Sequence, residues 1–266
     1  MKKLHLKTKN KILIKNLILY PFRILGLLFL RNKKITIVTA ASSNHFKSML
    51  QLINSIKLLE KGKFELVAYD LGLKKDEKDF FNKINPNISL KEFDYSNYPS
   101  FFNIEINAGA FAWKPTIIYY EYNLLKKNDY ILWLDAGCFL TKSLFLVKTV
   151  LWLDGLYCTF SGNIIKNFTH VKTLETIGKE EINTLKMFQA STIGLKVGSK
   201  ENDALINSWY RNSCQESIIS PKGSNLSNHR YDQSLLSIQI YKSYNTLKRP
   251  FLSYQTNEIQ LHKDIG

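Results

Sequence analysis

Five apolar residues, Tyr130-Ile-Leu-Trp-Leu134, run without a break into Asp135-Ala-Gly137. A strand that is apolar at every position must be covered on both faces, which is the condition of a central strand in a parallel sheet. Such a sheet needs crossover helices, so an α/β fold follows. The carboxylate closing the strand is delivered to the carboxyl edge of the sheet, where open α/β folds bind ligands. Gly137 lets a ligand or metal approach the backbone closely. Mg²⁺ or Mn²⁺ takes carboxylate oxygens together with bridging phosphates, so one Asp plus a diphosphate makes a workable metal site. A strand-end Asp is also a common turn former, and that reading stands beside the first.

The first half of the chain fits the same architecture. Ile35-Thr-Ile-Val-Thr39 reads as a buried strand closing on Ala40-Ala-Ser-Ser43. Ser43 or Asn44 can cap a helix carrying Met49, Leu52, Ile53, Ile56 and Leu59 at helical spacing, stopped by Gly62. A second strand, Phe64-Glu-Leu-Val-Ala-Tyr69, is closed by Asp70-Leu-Gly72. A charged helix over 74–84, a third strand over 88–93 and a helix over 115–125, with Pro115 in its first turn, complete the alternation. The second half is less regular. Strands are expected over 155–160 and 188–197, helices over 201–211 and 231–241, and a polar loop over 213–229. At 266 residues the chain can bury a sizeable core.

Charge is unevenly placed. Residues 1–34 hold ten Lys or Arg and no acid, two-thirds of the net charge of +15. The remainder is only mildly basic, which argues against a nucleic-acid-binding face. Within the leader, Leu17–Leu30 is apolar but interrupted by Pro21 and Arg23. It is shorter than the roughly 20 residues a spanning helix needs. Both flanks are basic, so a segment lying on an anionic membrane surface fits better than a signal peptide. The expected organisation is a basic, apolar leader over 1–34 and one domain over 35–266. The leader suggests a peripheral protein at the inner membrane face. A short secretory-pathway anchor is the alternative, with Asn87, Asn167 and Asn225 in glycosylation triplets. Cys138, Cys158 and Cys214 follow no metal or disulfide spacing and read as free thiols.

The strand ends nominate further residues. Thr39, Ala40 and Ala41 are small, as a flat nucleobase or ribose requires. Asp70 can accept from a base or ribose hydroxyl. Lys114, near a helix start, suits phosphate.

Ile35–Ser43, residues 67–72, Ala112-Trp-Lys-Pro115, residues 131–137 and His229-Arg-Tyr-Asp-Gln-Ser234 occur in this order. The series resembles nucleotide-sugar glycosyltransferases of the GT-A fold, in particular the group around glycosyltransferase family eight, over residues 35–240. The resemblance implies a single GT-A-like, Rossmann-like domain with a mixed, mainly parallel central sheet flanked by helices. It implies a nucleotide-diphosphate donor, a uridine-diphosphate sugar before others, and a glycan or lipid-linked acceptor. In that group the central strand ends in Asp-x-Asp, whose acids hold a divalent metal, Mn²⁺ or Mg²⁺. Asp135 corresponds to the first acid, with Ala136 and Gly137 beside it, and Gly137 stands where the second would be. His262 is the candidate compensating ligand, and metal-free binding by Lys114 and backbone N–H groups is the alternative. The resemblance sets Asp232 and Gln233 beside the donor sugar or acceptor, with Asp232 orienting hydroxyls or acting as a base. It sets Gln189 on the strand lining the donor-sugar pocket. His229 and Arg230 are placed to meet phosphate or acceptor. Two rivals remain. A sugar nucleotidyltransferase would need a Gly-rich basic loop where Ala40–Ser43 lies, and a catalytically degenerate membrane-surface binding protein would account for Gly137.

Overall fold

In the computed structural model, which describes Leu30 and residues 33–244 and 256–265, β1 (Ile35–Ala41) is buried at all seven positions. It lies between two parallel neighbours, β2 (Phe64–Asp70) and β4 (Tyr130–Leu134). Beyond β2 lies β3 (Ser89–Glu92), also parallel. On the other side β7 (Lys186–Lys196) pairs antiparallel with β4, and β6 (Leu156–Ile164) pairs antiparallel with β7. The six-stranded order is β3-β2-β1-β4-β7-β6, a mixed, mainly parallel sheet. A two-stranded ribbon pairs β5 (Phe139–Leu140) with β8 (Ile259–Gln260).

Alternation along β1 and β4 divides the core between the two sheet faces. Val38, Ala40, Ile131 and Trp133 pack on one side. They meet α3 (Trp113–Leu124), α6 (Lys200–Ser213) and α8 (Asp232–Tyr244) through Ile117, Ile118, Leu205, Trp209 and Leu235. Ile35, Ile37, Leu132 and Leu134 pack on the other. Their partners are Met49, Leu52 and Ile53 of α1 (Phe46–Glu60) and Val147, Val150 and Leu151 of α4 (Phe145–Asp154). The continuous apolar run of β4 is thus explained by cover on both faces.

Several boundaries differ from the sequence expectation. The helix expected from Pro115 begins at Trp113, so Lys114 sits inside its first turn. Neither Ser43 nor Asn44 caps α1, which follows a single 3-10 turn at Ser43–His45. Ser43 Oγ instead donates to Glu77 Oε2 (2.5 Å) at the start of α2 (Lys75–Ile84), tying the β1 loop to the β2 loop. Helices α4 and α5 (Val171–Ile177) and both ribbon strands were not expected. The polar stretch 213–229 carries one helical turn, α7 (Glu216–Ile219). Cys138 and Cys158 are buried and Cys214 is half-buried, and none of the three is in a disulfide among the described residues. The leader lies outside the described residues apart from Leu30, Lys33 and Lys34. No helix among the described residues is long and apolar enough to cross a membrane.

A buried ion pair holds α4 to α1. Lys148 Nζ lies 2.5 Å from Glu60 Oε2, both side chains at most 5% exposed, and Leu144 N donates to Glu60 Oε1 at 2.5 Å. Removing one partner strands a buried charge, so Glu60→Gln should lower stability by about 3 kcal/mol. A chemical-unfolding midpoint equal to wild type would show that the pair does not hold the helices.

Candidate functional site

The carboxyl ends of β1, β2 and β4 converge on a cavity of about 340 Å³. The end of β1 brings Ala40, Ala41, Ser42 and His45, β2 brings Leu71, and β4 brings Asp135 through Cys138. Apolar walls come from Ile104, Ala108, Phe111 and Trp113, and Ser191 of β7 closes the side. His262 and Asp264 reach in from the C-terminal segment. A wider groove of about 680 Å³, lined by side chains such as Lys200, Arg211 and Lys242 of α6 and α8, receives none of these strand ends.

Beneath the cavity three charges meet. Lys114 Nζ lies 2.9 Å from Asp135 Oδ1 and 3.2 Å from Asp232 Oδ2, with the Lys114 side chain 4% exposed. It also donates to Asp135 Oδ2 (3.2 Å) and Ala190 O (3.4 Å). Burial alone would depress this ammonium, but the two carboxylates outweigh it and hold its pKa above the ordinary lysine value. Trp133 Nε1 donates to Asp135 Oδ1 at 2.6 Å, so the strand and the lysine together fix where this carboxylate points. The Asp135 side chain is 35% exposed and faces the cavity. Asp232 is almost fully buried, and burial pushes its pKa up to about 6 against the opposing pull of Lys114. Its Oδ2 meets Lys114 as a charge contact and is a buried atom without a hydrogen-bond partner among the described residues.

The turn that delivers Lys114 is strained. Asn107, Ala108, Gly109, Ala110 and Phe111 all have φ between 48° and 62°. A left-handed conformation costs an L-residue about 1–2 kcal/mol. The run is held by Trp113 Nε1 donating to Ala108 O (3.0 Å) and Asn107 Nδ2 donating to the Tyr231 hydroxyl (2.8 Å). It points Ala108 and Phe111 into the cavity just before Lys114. Strain of this kind persists where the surroundings over-determine it, often at a working site.

The nominated residues divide into groups. Ala40, Ala41, Lys114, Asp135, Ala136, Gly137 and His262 line the cavity. Thr39 does not; it is fully buried below the floor, its Oγ1 without a hydrogen-bond partner. Asp70 stands apart, outside the lining. Its Oδ1 accepts from Gly72 N (2.7 Å) and Leu73 N (2.6 Å), and Lys78 Nζ lies 2.5 Å from Oδ2, so its oxygens serve the turn. Asp232 meets the site through Lys114. Gln233 and Gln189 do not line the cavity; Gln189 lies two residues before Ser191 on β7. His229 is a structural residue: Nδ1 accepts from His170 N and Nε2 bonds Ile219 O, while burial pushes its pKa down to about 4. Arg230 lies over the Phe168 ring, outside the lining. The sequence reading missed His45, Phe111 and Asp264, while Ser191 belongs to the Gln189-Ala-Ser191 segment that the resemblance sets along the donor-sugar pocket. Ser191 lines the cavity, and its Oγ is buried with no hydrogen-bond partner among the described residues.

The donor set suits a hard cation. Carboxylate oxygens of Asp135 and Asp264 and the His262 ring border one cavity. Among the described lining residues Lys114 is the one Lys or Arg, and it is already paired with two acids. A diphosphate entering alone would meet excess negative charge, which a divalent cation would reverse. Among the described residues no three His, Cys, Asp or Glu side chains converge on one point.

A family model described as "Protein of unknown function (DUF1647)" matches residues 10–119. No curated protein matches. Among solved structures, the WbbM bifunctional glycosyltransferase superposes with a TM-score of 0.53 at 16% identity over 79% of this chain, which spans 38% of WbbM's length. Galactosyltransferase LgtC, solved with donor and acceptor sugar analogues, gives 0.46 at 16% identity, covering 76% of this chain and 69% of its own. Mouse xyloside xylosyltransferase 1 gives 0.48 at 10% identity, covering 84% and 85%. The likeness to WbbM shows the fold: the six-stranded mixed sheet with its flanking helices is that of a GT-A-type glycosyltransferase.

Proposed function

We propose that this protein transfers a sugar from a nucleotide-diphosphate donor, a uridine-diphosphate sugar before others, to a hydroxyl of a glycan or lipid-linked acceptor. One observation carries the reading: a carboxylate fixed by a buried ammonium at the carboxyl edge of the sheet, beside an apolar slot. Ala40, Ala41, Leu71 and Phe111 leave room for a flat base. The Ser191 hydroxyl supplies an unused partner for a sugar or phosphate oxygen. Asp135 and His262 would hold a divalent cation, which when bound neutralises the diphosphate and the charge that develops on the leaving nucleotide. Lys114 orients Asp135 and adds positive charge beneath the diphosphate. Asp232 positions Lys114 from behind. Gln189, two residues before Ser191 on β7, and Gln233 in the first turn of α8 are the candidates for the sugar side. An acceptor at a membrane surface, reached through residues 1–34, fits the basic leader.

The test is donor turnover. Wild-type protein incubated with a panel of nucleotide sugars and Mn²⁺ should release nucleotide from at least one. Asp135→Asn should reduce that release roughly a hundredfold or more while leaving the melting curve in place. Release unchanged by Asp135→Asn would remove this carboxylate from the reaction.

A further inference from the structure

We propose that Asp264, delivered by the C-terminal segment, supplies the second carboxylate of a divalent-cation site whose first is Asp135, in the space that Gly137 leaves open. This rests on the glycosyl-transfer reading above. A Cβ built on Gly137 would lie 2.5 and 2.6 Å from the two Asp264 carboxylate oxygens and 2.7 Å from its Cγ. A side chain at 137 and the Asp264 carboxylate therefore exclude each other. Gly137 is not in the left-handed region, so its backbone could be adopted by any residue. What position 137 requires is the absence of a side chain, and the group filling the vacated space is an acid.

The tail is held on both sides of that acid. Leu140 pairs with Ile259 in the β5–β8 ribbon, and Thr141 N donates to Glu258 O at 2.9 Å. The Glu258 carboxylate accepts from Leu146 N (2.7 Å) and Val147 N (3.0 Å) at the start of α4, where a helix terminus favours an anion. Lys263 N donates to Gly137 O at 2.7 Å, and Ile265 N donates to Ser48 Oγ at 2.9 Å. Residues 263 and 265 are thus each tied to the body of the domain, and Asp264 projects between them.

The Asp264 side chain is 48% exposed, and the His45 ring lies beside it, Nε2 at 3.9 Å from Oδ1. No lysine or arginine neutralises it within 4 Å among the described residues. It lines the same cavity as Asp135 and offers a second hard oxygen donor there. Two carboxylates plus two phosphate oxygens and water match what Mg²⁺ or Mn²⁺ takes. Ser191 lines the same cavity, and its buried Oγ has no hydrogen-bond partner among the described residues.

The experiment uses the full chain, with Mn²⁺ and UDP as probes. Isothermal titration measures UDP affinity with and without Mn²⁺, and electron paramagnetic resonance counts protein-bound Mn²⁺. In wild type, Mn²⁺ should tighten UDP binding. Asp264→Asn should weaken Mn²⁺ binding to the UDP complex roughly tenfold or more, with metal-free UDP affinity undiminished. Gly137→Asp with Asp264→Ala, which clears the space and moves the acid back onto the strand end, should restore Mn²⁺ binding. Unchanged Mn²⁺ affinity in Asp264→Asn overturns the inference, as does a folded double variant that stays at the Asp264→Asn level. UDP binding that Mn²⁺ does not alter overturns the inference alone. Failure of UDP and the other nucleoside diphosphates to bind wild type at all overturns the inference and the transferase reading together.

Discussion

Lys114→Met should abolish turnover and lower stability together. The ammonium is the shared partner of Asp135 and Asp232, and its side chain is 4% exposed. A neutral side chain leaves two carboxylates in one poorly solvated place, and breaking such a pairing costs about 3–5 kcal/mol. The Asp135 carboxylate also loses one of the two groups that aim it, Trp133 Nε1 being the other. A loss of roughly a thousandfold in turnover is expected, the upper range for removing one preorganised electrostatic partner. Lys114→Arg keeps the charge and should recover most of the stability. It should recover little of the turnover, because the planar guanidinium does not reproduce the ammonium's position. Melting temperature and donor release measured on both variants separate the two effects. A Lys114→Met protein that melts and turns over like wild type would contradict the account.

Gly109→Ala should be the most damaging of the small substitutions. Gly109 has φ +62°, and a Cβ there would run into the Phe102 carbonyl oxygen. Backbone cannot give as a side-chain tip can, so steric and conformational penalties add to about 3 kcal/mol. Ala108 and Phe111 flank this residue and form the apolar wall, so donor affinity should fall as well. Gly62→Ala is the matched control. Gly62 is also left-handed, at φ +78°, but nothing lies within 4 Å of its added Cβ. It should lose only about 1 kcal/mol. Equal losses at the two positions, read by chemical unfolding, would show that the turn before Lys114 is not tightly packed.

The central strand and its acid were legible because burial on both faces leaves an unmistakable mark, five apolar residues in a row. The pairing of Lys114 with Asp135 was less so. A strand end and a helix start 21 residues apart announce themselves separately, and only the crossover brings them within 3 Å. Asp70-Leu-Gly72 and Asp135-Ala-Gly137 show the limit most clearly. Each is an acid closing a buried strand, with glycine two residues on. Asp70 turns back onto the Gly72 and Leu73 amides, while Asp135 is held at the cavity by Lys114 and Trp133 from below. The difference lies in partners distant in sequence, which no local pattern records. Asp264 is more extreme, since it reaches Gly137 across 127 residues through the β5–β8 ribbon. The left-handed run was hidden because four of its five residues are not glycine. Helix α4 went unnoticed because its residues are apolar around most of the cylinder, which blurs helical periodicity.

The most direct test of the central claim is a crystal structure of the protein soaked with a uridine-diphosphate sugar and Mn²⁺. The account predicts the diphosphate beside Asp135, above Lys114 and against the Gly137 backbone, with the base between Ala40–Ala41 and Phe111. A nucleotide bound elsewhere, or a cavity still empty at saturating donor with Asp135 paired only to Lys114 and Trp133, would contradict it.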